Sequence, residues 1–263
     1  MDIINSLSNP KIKEVVKLHK AGVRRETGLI IVDGKREILA AIQADREVVY
    51  LFYCPELVKE RSSETIDFLG VNINQVVEVS RLAFLKMCYK ENPDGFLAVI
   101  RQPELSLEKI KVGADPLIVI LEAVEKPGNL GAIIRSSYAA GVDAVIINDN
   151  QTDVYNPNAI RASEGLIFSQ PMAVATVAET AKWLKANNIK SFAAATGAKQ
   201  NYWQADFKGG TALVFGSEAD GLTNDWLKLA DASLKIPMCP GVDSLNVSVS
   251  AALMIFEVKR QRG

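Results

Sequence analysis

Short apolar runs that alternate with amphipathic stretches constrain this chain more than any other feature. In the C-terminal half, five such runs predict strands, at Leu117–Ala123, Ala144–Ile147, Ser191–Thr196, Ala212–Phe215 and Ser233–Ile236. Helical periodicity lies between and after them, near residues 130–140, 157–164, 177–187, 223–230 and 245–260. Strands that are apolar on both faces need cover on both faces, so the pattern predicts an α/β domain with a parallel sheet between two helical layers.

The N-terminal part shows a weaker version of the same alternation. Its predicted strands are Leu29–Val32, Val48–Cys54, residues 75–79 and Phe96–Arg101. Its predicted helices lie near residues 10–21, at Lys35–Gln43, and near 62–69 and 80–88. Because 263 residues are long for one domain, we expect a smaller α/β domain over 1–102, a linker over 103–115 and the parallel-sheet domain over 116–263.

Composition is that of an ordinary folded chain, with 48% apolar residues, 23% charged residues and a net charge of −1. No apolar run reaches the roughly 18 residues of a membrane helix, and the first residues lack the apolar core of a secretion signal. We therefore expect a cytoplasmic protein.

Basic residues are concentrated near the N-terminus although the chain as a whole is nearly neutral. Residues 1–36 contain eight Lys or Arg against four Asp or Glu. Such a cluster suits contacts with nucleic-acid phosphates, but it is also what a solvated helix face looks like, and both interpretations stay open at this point.

Several classes of active site are disfavoured by what the sequence lacks. Three widely separated cysteines and one histidine, His19, give no metal-ligand spacing and no Ser/His/Asp arrangement. No G-x-G-x-x-G follows the first strand of the parallel sheet, and no G-x-x-x-x-G-K-[ST] occurs, so a dinucleotide dehydrogenase or a P-loop NTPase is disfavoured.

Unusual residues follow four of the predicted strands. They are Glu125 to Asn129, Thr196-Gly197, Gly216 to Glu218 and Pro237 to Gly241. In a parallel sheet ligands bind beyond the carboxyl ends of the strands, where these loops should converge. The residues alone therefore predict a small molecule bound at this rim, beside polar residues that act on a second substrate.

Three stretches on this rim resemble the signature motifs of the SpoU/TrmH family of RNA 2′-O-methyltransferases. They are Asn129 to Arg135 (motif 1), Leu213 to Leu222 (motif 2) and Ile236 to Ser250 (motif 3), and the resemblance covers about 116–263. Residues 8–13 and 92–98 resemble the family's substrate-binding domain, which is related to kink-turn-binding ribosomal proteins. There Asp33-Gly34 stands in place of the family's usual Glu-Gly.

This resemblance implies a Rossmann-like domain with a deep trefoil knot, S-adenosylmethionine as cofactor, no metal, and a homodimer formed through the knotted domain. It implies methylation of a ribose 2′-hydroxyl, in rRNA by preference. A tRNA-modifying enzyme and a noncatalytic RNA-binding or ribosome-assembly factor are the alternatives. The implied cofactor-binding residues are Thr196, Gly197, Gly216, Ile236, Met238 and Leu245.

The resemblance also nominates site residues on the RNA side. Arg135 is the implied activator of the 2′-hydroxyl, and because arginine is a poor base we expect it to bind the adjacent phosphate and stabilise the developing alkoxide. Asn129 either orients Arg135, contacts RNA or caps a helix; Glu218 is either catalytic or structural; Asn246 points at the reacting centre or caps the last helix, for which Ser244 is another cap candidate. The expected RNA-binding residues are Lys11, Lys13, Arg24, Arg25, Lys35, Arg36 and Ser248.

Overall fold

The computed structural model describes residues 3–58, 71–149 and 153–263. These form two compact units: an N-terminal unit that runs to Pro103 and also includes Tyr155–Ser169, and a C-terminal unit of Glu104–Val154 and Gln170–Gly263. The sequence assigned residues 155–169 to the second domain, whereas here they pack with the first unit. The helix predicted near 62–69 lies outside the described residues.

The N-terminal unit is a four-stranded sheet with helices. Its elements in chain order are α1 (Pro10–Lys17), α2 (Ala21–Thr27), β1 (Leu29–Asp33), α3 (Lys35–Gln43), β2 (Val48–Tyr53), β3 (Val76–Glu78), α4 (Arg81–Met87) and β4 (Phe96–Arg101). The strand order is β1-β4-β2-β3, with β4 antiparallel to both β1 and β2 and with β3 parallel to β2. The small α/β domain expected from the sequence is therefore built on a sheet with both parallel and antiparallel strands.

One predicted helix, over residues 10–21, is two helices. The first ends at Lys17, and Lys20 has extended backbone angles before the second begins at Ala21. Arg24 explains part of this break, because its guanidinium Nη1 donates to the Leu18 carbonyl oxygen at 2.5 Å. A carbonyl left without a helical partner at the end of α1 is thus satisfied by a buried side chain.

The C-terminal unit contains the parallel sheet. Its elements are β5 (Leu117–Glu122), α5 (Pro127–Ala140), β6 (Ala144–Asn148), β7 (Met172–Val174), α7 (Val177–Ala186), β8 (Lys190–Ala194), β9 (Gln200–Asn201), β10 (Thr211–Phe215), α8 (Asn224–Leu229), β11 (Ala232–Lys235) and α9 (Val247–Arg262). The remaining helix, α6 (Pro157–Ala162), belongs to the N-terminal unit. None of the described helices is long and apolar enough to cross a membrane.

All seven strands are parallel, in the order β7-β6-β5-β10-β8-β11-β9. The predicted α/β class with a parallel sheet is confirmed. The sequence did not predict β7 and β9, which have three and two residues and lie at the two edges of the sheet. Runs this short carry no readable periodicity.

Helices cover both faces of this sheet. On one face α9 packs against α5 and β10. On the other face Leu184 of α7 and Trp226 of α8 pack against Ile118, Ile146 and Val214 of the central strands. The sheet therefore lies between two helical layers, as predicted.

A buried polar network joins the second helical layer to the sheet. Asn148, at the end of β6, donates to the Ala175 carbonyl oxygen and to the Thr180 hydroxyl, both at 2.8 Å. It accepts from the indole Nε1 of Trp226 at 3.1 Å. Asn148, Thr180 and Trp226 are fully buried, so each of these bonds replaces one that water would otherwise make.

We expect Asn148→Leu to destabilise the protein, because it leaves the Trp226 and Thr180 groups buried without this partner. Each unsatisfied group costs about 1 to 3 kcal/mol, so the free energy of unfolding should fall by about 3 kcal/mol. Urea unfolding followed by tryptophan fluorescence measures the change. Asn224→Leu, at the exposed first residue of α8, is the control; equal stabilities of the two variants would contradict the role given to the network.

Candidate active site

Four neighbouring strands end at the same edge of the parallel sheet. They lie in the order β5-β10-β8-β11 and are parallel throughout. The loops that follow them therefore meet, although the sequence separates them by up to about a hundred residues. The convergence predicted from the strand-end residues is present in the structure.

The loops after β8, β10 and β11 enclose a cleft of about 690 Å³, within the size range of small-molecule sites. Its lining includes all six residues predicted to bind a cofactor: Thr196, Gly197, Gly216, Ile236, Met238 and Leu245. Acidic residues of the lining are Glu218, Asp220 and Asp243, and no Lys or Arg occurs among the described residues that line it. Such a lining favours a cationic ligand over a phosphorylated one.

The loop after β10 is closed on itself. Ser217 N donates to Gly221 O at 3.0 Å, and Gly221 N donates to Ser217 O at 3.2 Å. A Cβ atom at Gly216 would overlap the backbone of Gly221 and Leu222, so only glycine fits this close approach. Farther along, Thr223 donates to the buried Glu122 carboxylate from its backbone N at 2.8 Å and from its hydroxyl at 2.6 Å, which fixes the end of the loop to β5.

A cluster of polar side chains lies beside the cleft, centred on Glu218. Its Oε1 accepts from the Asn129 amide at 2.8 Å and from the Asn246 amide at 2.7 Å, and its Oε2 accepts from the ammonium of Lys126. Asn246 Nδ2 also donates to Asn129 Oδ1 at 3.2 Å. Residues from the starts of α5 and α9 and from the loop after β10 thus share one carboxylate.

The charges in this cluster support each other. The Lys126 hydrogen bond, followed by that of Asn129, holds the pKa of Glu218 below its usual value, so this carboxylate is ionised at neutral pH. In turn Glu218 raises the pKa of Lys126. The cluster is wet, since 28% of the Glu218 side chain and 69% of the Lys126 side chain are exposed, and salt and solvent weaken such pairs.

Three of the four predicted catalytic residues, Asn129, Glu218 and Asn246, are therefore joined directly by hydrogen bonds. Arg135 is exposed on α5, six residues beyond Asn129, or about 9 Å along the helix axis. The helical position of Asn129 also decides one alternative, because the N-cap of α5 is Lys126 and the Asn129 side chain is directed to Glu218.

Asn246 caps the last helix, as one of the two alternatives expected, and also belongs to the cluster. Its Oδ1 accepts from Ser248 N at 2.9 Å and so caps α9, while its amide joins the cluster. Ser244 is not the cap, because α9 begins one residue after Asn246; Ser244 instead lines the cleft. Ser248, a predicted RNA contact, donates its hydroxyl to Asn246 Oδ1 at 2.6 Å.

The remaining predicted RNA-binding residues lie in the N-terminal unit in different settings. Lys13, Arg25 and Arg36 are exposed, and Lys35 is partly exposed. The ammonium of Lys11 lies 4.7 Å from the centre of the Tyr50 ring. Arg24 requires a correction: it is 1% exposed and donates to Leu18 O, so it is not available on the surface for phosphate.

Two residues of the site were missed by sequence reasoning. Lys126 was read only as part of a strand-end loop, and Glu122 only as the end of an apolar run. A glutamate at the end of an apolar run is the sequence feature that could have identified Glu122, since a carboxylate buried there needs hydrogen-bond donors.

Among the described residues there is no group of three or more His, Cys, Asp or Glu that could hold a metal ion.

Comparison with known proteins extends over the whole chain. A 23S rRNA (guanosine(2553)-2′-O)-methyltransferase, RlmP, of Bacillus subtilis (strain 168) is 29% identical over 98% of this chain and 100% of its own length. A crystal structure of an RNA 2′-O ribose methyltransferase matches with a TM-score of 0.86 and 36% identity, over 99% of each chain. The SpoU methyltransferase AviRb from Streptomyces viridochromogenes, solved with AdoMet, matches with a TM-score of 0.87 and 28% identity over 97% of this chain and 98% of its own.

Two family models match this chain, one in each half. Residues 9–98 match the MRM3-like substrate binding domain. Residues 116–256, more than half of the chain, match the SpoU rRNA Methylase family. Together with the strand-end cleft and its three motifs, this match shows that the chain belongs to the SpoU rRNA methylase family.

Proposed function

We propose that this protein transfers a methyl group from S-adenosylmethionine to a ribose 2′-hydroxyl of ribosomal RNA, and that the RNA is that of the large subunit. The observation that supports this most is the joining of Asn129, Glu218 and Asn246, one from each motif, beside a cleft lined by all six expected cofactor residues. The relatives named as 23S rRNA 2′-O-methyltransferases support the choice of substrate. A cytoplasmic location is part of the same proposal.

The cleft fits S-adenosylmethionine in size and charge. Its three acidic side chains suit a ligand with a sulfonium and an ammonium group, and the apolar side chains of Ile236, Met238 and Leu245 suit an adenine ring. Thr196, Gly197 and Gly216 offer backbone groups at the strand ends. When bound, the cofactor supplies a methyl carbon already activated by the positive sulfur.

The protein's own residues then have to place the ribose and help its hydroxyl to lose a proton. Arginine does not accept a proton near neutral pH, so Arg135 acts by binding the neighbouring phosphate and stabilising negative charge on the ribose oxygen. Asn129 and Asn246 present amide groups held by Glu218. RNA phosphate or water takes the proton.

RNA is held in part by the N-terminal unit. Of the predicted set, Lys13, Arg25 and Arg36 are exposed on its surface and Lys35 is partly exposed, and Arg36 also pairs with Glu164 at 3.0 Å. Exposed cations of this kind give affinity that falls with salt and carries little sequence information. The match to a substrate-binding domain over residues 9–98 supports this assignment.

A homodimer formed through the C-terminal unit is also part of the proposal, as is the trefoil knot that the family resemblance implies. On α9, Val249, Leu253 and Phe256 are 48%, 40% and 49% exposed and follow one helical stripe. Tyr138, on the adjoining α5, is 46% exposed. Large apolar side chains grouped in this way are typical of a protein interface.

Arg135→Ala should lower kcat for methyl transfer at least about a hundredfold while cofactor binding is kept, because it removes a charge that acts on the reacting oxygen. Labelled methyl transfer to unmodified rRNA and tRNA, mapped by resistance of the product to alkaline cleavage, measures the effect and identifies the nucleotide. Lys182→Ala, an exposed cation on α7, is the control. Labelling of tRNA but not rRNA, or an unimpaired Arg135 variant, would contradict the assignment.

Gly216→Ala should weaken binding of S-adenosylmethionine at least about tenfold, because the added methyl group collides with the backbone of Gly221 and displaces the loop. Isothermal titration calorimetry measures the dissociation constant. Gly209→Ala is the matched control, since a Cβ there meets nothing within 4 Å. Equal affinities of the two variants would exclude this loop from the binding site.

Phe256→Glu should convert a dimer to monomers, because a carboxylate replaces an aromatic ring in the apolar stripe of α9. Sedimentation equilibrium gives the mass of each species. Leu229→Glu, at a side chain 51% exposed on α8, is the control and should leave the dimer intact. A monomeric wild-type protein would refute this part of the proposal without affecting the cofactor site.

A further inference from the structure

Lys126 has no role in the site as the motifs define it, yet it is bonded to the central carboxylate. It is the N-cap residue of α5 and makes no side-chain capping bond to that helix. Its ammonium instead bridges from the loop after β5 to Glu218 in the loop after β10. Lys126 therefore shares the Glu218 carboxylate with Asn129 and Asn246, which both donate hydrogen bonds to it.

The two oxygens of Glu218 have separate partners. Oε2 accepts from Lys126, and Oε1 accepts from both amides. Because a carboxylate only accepts, each asparagine must turn its NH₂ side towards Glu218. Asn129 Oδ1 is then oriented to accept from Asn246, and the faces that the two amides leave for a substrate are fixed.

This orientation depends on Glu218 being ionised. A protonated carboxyl group would present an O–H donor to one of its neighbours. The two amide NH₂ groups would then be held less firmly towards Glu218. Lys126 lowers the pKa of Glu218 by its hydrogen bond and by its positive charge. Glu125 lies in the loop of Lys126, and Asp220 and Asp243 line the same cleft as Glu218. The ammonium therefore opposes the partial burial of Glu218, which favours its protonated form.

We propose that Lys126 is a positioning residue for methyl transfer: by holding the Glu218 carboxylate, it fixes the orientation of the Asn129 and Asn246 amides towards the ribose. The inference rests on the proposed function and adds a residue to it. Since the Lys126 side chain is 69% exposed, the competing explanations are a direct contact with an RNA phosphate and a surface ion pair of no consequence.

A double-mutant cycle separates these explanations. The variants are Lys126→Met, Glu218→Gln and their combination, with Lys126→Arg as a conservative replacement. Lys109→Met is the matched control, because Lys109 forms an exposed pair with Glu104 in the same unit at 2.5 Å. For each protein we would measure kcat, the KM for RNA, the affinity for S-adenosylmethionine and the melting temperature.

We expect Lys126→Met to lower kcat on the order of tenfold, with little change in the KM for RNA, and Lys126→Arg to restore most of the rate. In the Glu218→Gln background the same Met substitution should have no further effect, because the residue acts through Glu218. Lys109→Met should behave as the wild type. Independent, multiplying effects of the two substitutions would overturn the proposal.

The pH profile supplies a second readout. The pKa of Glu218 is held low by Lys126, so loss of the ammonium raises it, and the fall of kcat on the acid side should begin at higher pH in Lys126→Met than in the wild type. An unmoved acid limb with a raised KM for RNA would assign Lys126 to phosphate binding and refute the positioning role. An unchanged kcat, KM and pH profile would make the pair inconsequential.

The result can be separated from a failure of the proposed function. If the wild type methylates no RNA, the proposed function fails, and carboxyl-carbon NMR titration of Glu218 in wild type and Lys126→Met still tests the link. Equal titration of Glu218 in the two proteins would overturn the inference on its own. A higher pKa in the variant, with methyl transfer by the wild type, is the outcome that supports it.

Discussion

The insertion of β10 between β5 and β8 is the constraint on which the site depends. Parallel pairing on both sides places the loop that carries Glu218 between the loop after β5 and the loop after β8. The chain has to travel about ninety residues from β5 before it forms this central strand. The site is therefore assembled only when most of the C-terminal unit is in place, because its residues extend from Lys126 to Asn246.

Much of this arrangement could be predicted from the sequence. The central strands are clear apolar runs, so their positions were predicted to within one or two residues. Parallel pairing then required the loops after them to meet. The sequence did not reveal β7 and β9, because two or three residues at the sheet edge show no period. The sequence pattern also predicted a single helix over α1 and α2, since periodicity does not encode the hydrogen bond from Arg24 that explains part of the break.

Individual side chains were harder to predict than elements, for a related reason. Arg24 belongs to a basic cluster in sequence but is buried, and Lys126 stands in an ordinary loop but reaches the central carboxylate. In both cases the outcome is set by a partner distant in sequence or by a side-chain direction, neither of which is visible in composition. Motif resemblance recovered Asn129, Glu218 and Asn246, but not the lysine that completes their hydrogen bonds.

The double role of Asn246 limits which residues can occupy this position. Ser, Thr and Asp also cap helices, but a serine or threonine hydroxyl is too short to replace both ends of the amide, and an aspartate would set a second negative charge against Glu218. Asparagine alone among the strong N-cap residues has an oxygen for the Ser248 amide and an NH₂ group for a carboxylate. A substitution at position 246 that changed the reaction would thus also remove the cap of α9. Substitutions that change the reaction without loss of stability are expected instead at site residues that do not cap a helix.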